Sequence, residues 1–290
     1  MSNRLTRFPG LENKAEKAHN RADVRITETL KPAGLPRINH NVSHYLRIAT
    51  KVQSPWTEYR QHLRTKQAGD IIIAYDRKMK EFAIKEVKEC ERDWLLRLKA
   101  VSHTNIVRFF ASFFHEGSIY LVCDLMSTSL ANVLSVSTLP LDEVATVCRG
   151  VITGLCYLHK DLMISHGDIN SENILFSKSG EVKLANVGER LLEQPREHNP
   201  QEDVWSLGLL LIEMLEPDSI FLEPFPTILQ RPDSTEPCTV NFLSRTRFDR
   251  SSQLQQHEFL QKSRGGQYLK PFISDAERFM PPVVEKLDIS

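Results

Sequence analysis

The chain has 290 residues, enough for one large domain or two small ones, with 37 basic and 37 acidic side chains and no net charge. Hydrophobic residues make up 41% and charged residues 26%, the balance of an ordinary globular protein, so the bulk composition points to neither nucleic acid nor an anionic membrane. No apolar run approaches about 20 residues, which argues against a membrane-spanning helix, and the opening MSNRLTRFPG lacks the apolar core of a secretory signal. The five cysteines (Cys90, Cys123, Cys148, Cys156, Cys238) are an odd number without C-x-x-C spacing. That pattern disfavours zinc or a disulfide framework and fits a reducing cytosol or nucleus.

Residues 1–55 are polar, rich in Lys and Arg and broken by Pro9, Pro32, Pro36 and Pro55. They read as a flexible N-terminal tail, with a basic docking arm as the sharper alternative that the interspersed acids weaken. From Gly69 the pattern turns to strands. Ile71 to Tyr75 and Glu81 to Val87 flank a basic turn and read as a hairpin; Val107 to Phe114 and Ser118 to Cys123 flank Glu116-Gly117 and read as a second. Between them, Cys90 to Val101 has the spacing of a helix.

The remainder reads as mostly helical. Leu141 to His159 carries Val144, Val147, Cys148, Val151, Leu155 and Leu158 at helical spacing, with Pro140 before its first turn. Asp203 opens a strongly apolar helix through Met214 and reads as its cap, because a carboxylate accepts the free N–H groups of a first turn. A proline-rich stretch over 217–240 reads as an extended loop, Asn241 to Leu260 as helix, and 263–290 as a C-terminal tail.

Ser165 to Gly188 carries the chemistry. His166 is followed by Asp168 and, five residues later, by Asn173; Ile174 to Phe176 and Val182 to Leu184 flank a Ser-Lys-Ser-Gly turn, and Asn186-Val187-Gly188 closes the run. Two short strands so joined make a hairpin, expected to present Asp168 and Asn173 at one end and Asn186 at the other.

HGDINSEN and NVG resemble the catalytic loop and metal-binding turn of the protein kinases, His-Arg-Asp-x-x-x-x-Asn and Asp-Phe-Gly. Other pieces follow the kinase order. FAIK (82–85) resembles the strand with the nucleotide lysine, HTNIV (103–107) the entry to the next strand, and LVCDLM (121–126) the gatekeeper and hinge. GLCYLH (154–159), DVWSLG (203–208), EML (213–215) and RSSQLQQHEFL (250–260) complete the series. The features FLSRT and HEFL are similar to the PAK-type branch above MAP-kinase cascades.

The resemblance implies an α+β, bilobal protein-kinase-like fold over 56–262, with a small β-rich N-lobe (about 56–124), a helical C-lobe (about 127–262) and a truncated activation segment. It implies Asp168 as catalytic base. It implies Lys85, Gly69, Asp124, Met126 and Asn173 as nucleotide-binding positions, and Asn173 and Asn186 as the two metal positions. ATP is then the implied ligand, and protein components of a kinase cascade the implied partners.

The departures point to lost chemistry. Gly167 replaces the Arg, Asn170 the Lys, and Asn186 the metal-binding Asp; an amide is a weaker ligand than a carboxylate for magnesium. Of the glycine-rich loop only Gly69 remains, with Arg64 and Lys66 at the other positions in LRTKQAG. The Glu that pairs with the lysine falls at or near Trp94, with Glu91 and Asp93 the nearest acids. Asp203 comes only 17 positions after Asn186, without Ala-Pro-Glu between them, leaving Arg250 without that motif's Glu. The expected protein is a pseudokinase acting as a regulatory or scaffold module. The alternatives are a slow ATP-dependent serine/threonine kinase and a mis-spliced gene model of an active one.

Overall fold

The computed structural model describes residues 49–90, 101–192, 199–222, 224, 226–281, 283, 285 and 286. The expected helix over 90–101, and with it Glu91, Asp93 and Trp94, lies outside the described residues. Strand alternation builds the first lobe. β1 (Ala49–Lys51), β2 (Arg60–Lys66), β3 (Asp70–Tyr75), β4 (Glu81–Val87), β5 (Phe109–His115) and β6 (Ser118–Cys123) share one sheet. All its pairings are antiparallel except that of β1 with β5. The β3–β4 turn is closed by Asp76, whose carboxylate accepts the N–H groups of Lys78 and Lys80 at 2.8 and 2.9 Å.

Both faces of this sheet are covered. On the outer face Ile72, Ala74, Phe82, Ile84, Ala111, Phe113 and Val122 form one apolar cluster, against which Trp56 and Tyr59 pack. Tyr59 meets Phe82 and Phe113 edge-on, at 5.4 and 6.0 Å between centroids. On the inner face Ile71, Ala83, Ile119, Leu121 and Cys123 join the main core. Because side chains alternate along a strand, Lys85 shares the inner face with Ala83, and this brings its ammonium into the cleft.

The second lobe begins with β7 (Thr128–Ser129) and α1 (Leu130–Val136), capped by Ser129 Oγ, which accepts the N–H of Asn132 at 3.2 Å. α2 (Leu141–Tyr157) is the central helix, buried along most of its length. β8 (Ile174–Phe176) and β9 (Val182–Leu184) form the hairpin expected from the sequence and pair with β7. Antiparallel pairing of Ile174 with Leu184 sets Asn173 and Asn186 at the same open end of that hairpin, not at opposite ends.

α3 (Val187–Leu192) starts directly after Asn186, and α4 (Pro200–Leu215) crosses the core with Pro200 in its first turn. The proline-rich stretch is not all extended: it holds 3-10 turns at Pro217–Phe221 and Pro232–Ser234 and the start of α5 (Pro237–Arg245). Nor is 241–260 one helix. α5 stops where Thr246 packs against Gly208 of α4, and the chain restarts as α6 (Ser251–Leu254) and a 3-10 turn at Glu258–Lys262. α7 (Lys270–Phe279) packs on α1, and β10 (Glu285–Lys286) pairs antiparallel with β2. The sheet order is β1-β5-β6-β4-β3-β2-β10. No helix among the described residues is long and apolar enough to cross a membrane.

Candidate functional site

Asp203 anchors the loop that carries Asp168. It lies inside the first turn of α4 rather than at its cap, and it is buried. Its carboxylate accepts the backbone N–H groups of His166 and Gly167, each at 2.7 Å, and faces His159 Nε2 at 2.8 Å. Charge-assisted bonds to two successive amides fix the loop's direction. Gly167 sits at φ +76°, where a side chain is strained, and a Cβ there would stand 3.3 Å from the Arg190 guanidinium. Burial pushes the His166 imidazole below its ordinary pKa, so it is neutral near pH 7. Its Nε2–H donates to the Ala185 carbonyl at 2.8 Å, and Nδ1 accepts the Asp168 N–H at 3.3 Å.

Lys85, Asn186, Asn173 and Asp168 form one hydrogen-bonded chain. The Lys85 ammonium donates to the Ala68 carbonyl at 2.6 Å and to Asn186 Oδ1, and pairs with Glu189 Oε1 at 2.5 Å. Asn186 Nδ2 donates to Asn173 Oδ1 at 3.0 Å. Asn173 Nδ2 in turn donates to the carbonyl and Oδ2 of Asp168, at 2.9 and 2.7 Å. The two ends dictate the amide orientations, since an ammonium only donates and a carboxylate only accepts. The other Asp168 oxygen accepts Asn170 Nδ2 at 2.7 Å.

Glu189 and Gln67 were not foreseen. α3 follows the NVG turn without a spacer and lies close under the sheet. At Gly188 a Cβ would come within 2.6–2.8 Å of Phe109 and Leu121, so only glycine permits this approach. That packing turns Glu189 to Lys85, while Arg190 reaches back to the Ser165 carbonyl at 3.1 Å. The readable signal was an acid three residues beyond Asn186 in a helix-forming run. At the far end of the cleft, Gln67 Nε2 donates to the Met126 carbonyl at 2.8 Å, and its Oε1 accepts the Met126 N–H at 3.2 Å.

The other candidate positions are dispersed. Gly69 lies beside the Lys85 side chain at φ +98°, in a tight turn with Ala68. Asp124 is half-buried; burial raises its carboxyl pKa against the pull of Lys183, Lys80 and Arg108, and its N–H donates to the Arg108 carbonyl at 3.0 Å. Arg64 and Lys66 stand exposed on β2, on the face opposite buried Thr65, and are turned from the cleft. Cys123 is buried beside Glu189 and Lys85, and burial raises its thiol pKa well above the ordinary value. Arg250 is exposed at the cap of α6. Among the described residues no group of three or more His, Cys, Asp or Glu side chains could hold a metal ion.

The family model for the protein kinase domain matches residues 67–189, from Gln67 through Glu189 and so across this whole cleft. The similar proteins are named as serine/threonine-protein kinases. The serine/threonine-protein kinase STE20 of Candida glabrata is 30% identical over 205 residues, 59% of this chain and 22% of the relative. CST20 of Candida albicans is 30% identical over 191 residues, 55% of this chain and 16% of the relative. The kinase shk1/pak1 of Schizosaccharomyces pombe is 31% identical over 170 residues, 51% of this chain and 24% of the relative.

The chain carries a protein-kinase domain. Its β-rich sheet is the N-lobe and its helical part the C-lobe, and Met126 falls on the connection between β6 and β7. The chain spans about a quarter or less of these relatives' own lengths. Kinase domains as a family bind ATP with magnesium, and they are the frame in which the groups of this cleft are to be read.

Proposed function

We propose that this kinase domain is a pseudokinase, a regulatory or scaffold module impaired in phosphoryl transfer. One observation carries the reading: the Lys85 ammonium donates to the Ala68 carbonyl and to Asn186 Oδ1 and is ion-paired with Glu189, so it is held by protein groups on three sides. A lysine so held must give up the Ala68 or Asn186 oxygen to turn a donor toward a nucleotide phosphate. The carboxylate of Glu189 beside it adds repulsion toward a polyphosphate.

The donor set does not fit magnesium either. Mg²⁺ takes oxygen ligands in near-ideal octahedral geometry. Here the Asn186 oxygen accepts from Lys85, and its NH₂ group points at the Asn173 oxygen that would be the second ligand. A hydrogen-bond donor thus stands between the two metal positions. Loss of a comparable electrostatic contact commonly lowers turnover by about 10²–10³-fold.

Protein partners in a kinase cascade follow by analogy with the similar kinases, and the span 56–262 is the proposed functional unit. The slow-kinase alternative draws on the retained Asp168, Asn173 and Lys85, which share one cleft.

The deciding experiment measures thermal stability with ATP and either magnesium or EDTA, beside a phosphotransfer assay on the wild type and Asn186→Asp. A ligand at about 100 times its Kd stabilises by about 2.7 kcal/mol, a Tm shift of roughly 5–10 °C in a domain of this size. The expected outcome is no magnesium-dependent shift and no turnover in the wild type. A magnesium-dependent shift with phosphotransfer that rises in Asn186→Asp would establish the slow-kinase alternative instead.

A further inference from the structure

The turn at the tip of β2 reaches across the cleft to the hinge. Gln67 N–H donates to the Gly69 carbonyl at 2.8 Å, and Ala68 and Gly69 take positive φ values of 50° and 98°. Ala68 is buried in the main core, which anchors the turn from below. The half-buried Gln67 side chain then meets the backbone of Met126, itself 4% exposed, through both of its polar atoms. Fifty-nine residues separate the two partners, so tertiary closure of the lobes makes this contact.

The chemistry of the contact is specific. One backbone unit offers an N–H and a C=O side by side. A primary amide satisfies both, with its oxygen to the N–H and its NH₂ to the carbonyl. The edge of a purine that carries an exocyclic amine presents the same neighbouring acceptor and donor. An amide and such a purine are therefore alternatives for one site. At the opposite end Lys85 is held by Ala68 and Asn186 and paired with Glu189, whose negative charge disfavours a phosphate chain.

We propose that Gln67 is a built-in occupant of the hinge, and that an uncharged purine nucleoside enters only by displacing it. The proposal rests on reading the cleft as impaired in phosphate and metal binding, and it adds what gates the other end. Gln67 then acts as an autoinhibitory plug that stabilises the closed form without ligand.

The test uses the full chain as wild type, Gln67→Ala and Gln67→Glu. The glutamate keeps the length but cannot donate to the Met126 carbonyl. Hydrogen exchange at the Met126 amide and titration with adenosine are the readouts, with ATP in EDTA for comparison. The expected result is a protected Met126 amide in the wild type and faster exchange in Gln67→Ala, which offers no acceptor, while Gln67→Glu keeps an acceptor for that N–H and loses only the bond to the carbonyl. Adenosine should bind Gln67→Ala at least about tenfold more tightly, the effect of removing two competing neutral hydrogen bonds, and Gln67→Glu by a smaller factor, because only the bond to the carbonyl is removed there. ATP in EDTA should bind no better than adenosine. A Met126 amide that exchanges as fast in the wild type as in Gln67→Ala overturns the proposal. So does equal adenosine affinity, or equal lack of it, across the three proteins. Tighter binding of ATP than adenosine overturns the uncharged-ligand part. Magnesium-dependent phosphotransfer by the wild type is a separate result that sinks the parent reading and leaves the Gln67 competition measurable in the same titration.

Discussion

At the scale of single residues, the amide at position 186 sets the bonding of the groups around it. An aspartate at position 186 would bring a second anion beside Glu189 and would have no hydrogen to donate to Asn173. The asparagine supplies one acceptor and one donor, and so joins Lys85 to Asn173 as a neutral link. Glu189 completes the arrangement by neutralising Lys85, both side chains being mostly withdrawn from water. Replacing Glu189 by Gln should expose what the carboxylate does. The amide can still accept from Lys85, but the ion pair is lost, and a stability loss of about 1–2 kcal/mol is expected. ATP in EDTA should bind Glu189→Gln more tightly than the wild type, because repulsion at the phosphate end falls. Calorimetric titration of both proteins checks this, and equal affinities would show that Glu189 does not guard the phosphate end.

At the scale of elements, α3 is the piece that sets this domain's cleft. It begins one residue after Asn186 and owes its position to Gly188 against Phe109 and Leu121. Gly188→Ala should force the helix off the sheet at a cost of about 1–3 kcal/mol, as overpacking does in a close-packed core. Because Glu189 is next in sequence, hydrogen exchange in α3 should rise together with the fall in Tm. An unchanged Tm would mean that the helix is not held by this contact. The same element marks where sequence reading stops. Both N-lobe hairpins were legible because period-two alternation and turn residues are local signals, and the order of the kinase-like motifs carried the lobe arrangement. The partner of Lys85 was not legible. The resemblance directs attention to the stretch just after β4, whereas Glu189 comes 104 positions after Lys85 and reaches it only through tertiary packing. Gln67 was passed over for the same reason, since its partner is the distant hinge. Asp203 shows a local rule overruled: an acid in a first turn reads as a cap, but its carboxylate serves His166 and Gly167 from another part of the chain.

At the scale of the whole molecule, burial of three histidines in separate regions couples folding to pH. His103 stands at the end of α2, stacked on Tyr157; His166 lies in the Asp168 loop; His257 caps the 3-10 turn against Phe242. In each, burial is the main cause of a pKa below the ordinary value. The unfolded chain protonates these groups near pH 6.5, while the native state resists. Between the native and unfolded pKa values the unfolded state holds more protons, so stability rises with pH. The contribution is fully present above about pH 6.5 and is lost as pH falls toward the native values, at no more than about 1.4 kcal/mol per pH unit for each histidine. Asp124 and Glu213 oppose this, because burial raises their native pKa values and they take up protons first in the folded state on acidification. Their ordinary range lies lower, so the histidine effect should dominate from pH 7 to about 5.5. Urea unfolding at pH 7.5, 6.5 and 5.5 should therefore show declining stability. His166→Gln, which can still donate to the Ala185 carbonyl, should be less stable at pH 7.5 but lose less on acidification. A wild-type curve that stays flat down to pH 5.5 would show that these imidazoles titrate in the native state as freely as in the unfolded chain, and that their burial contributes nothing to the pH dependence of folding.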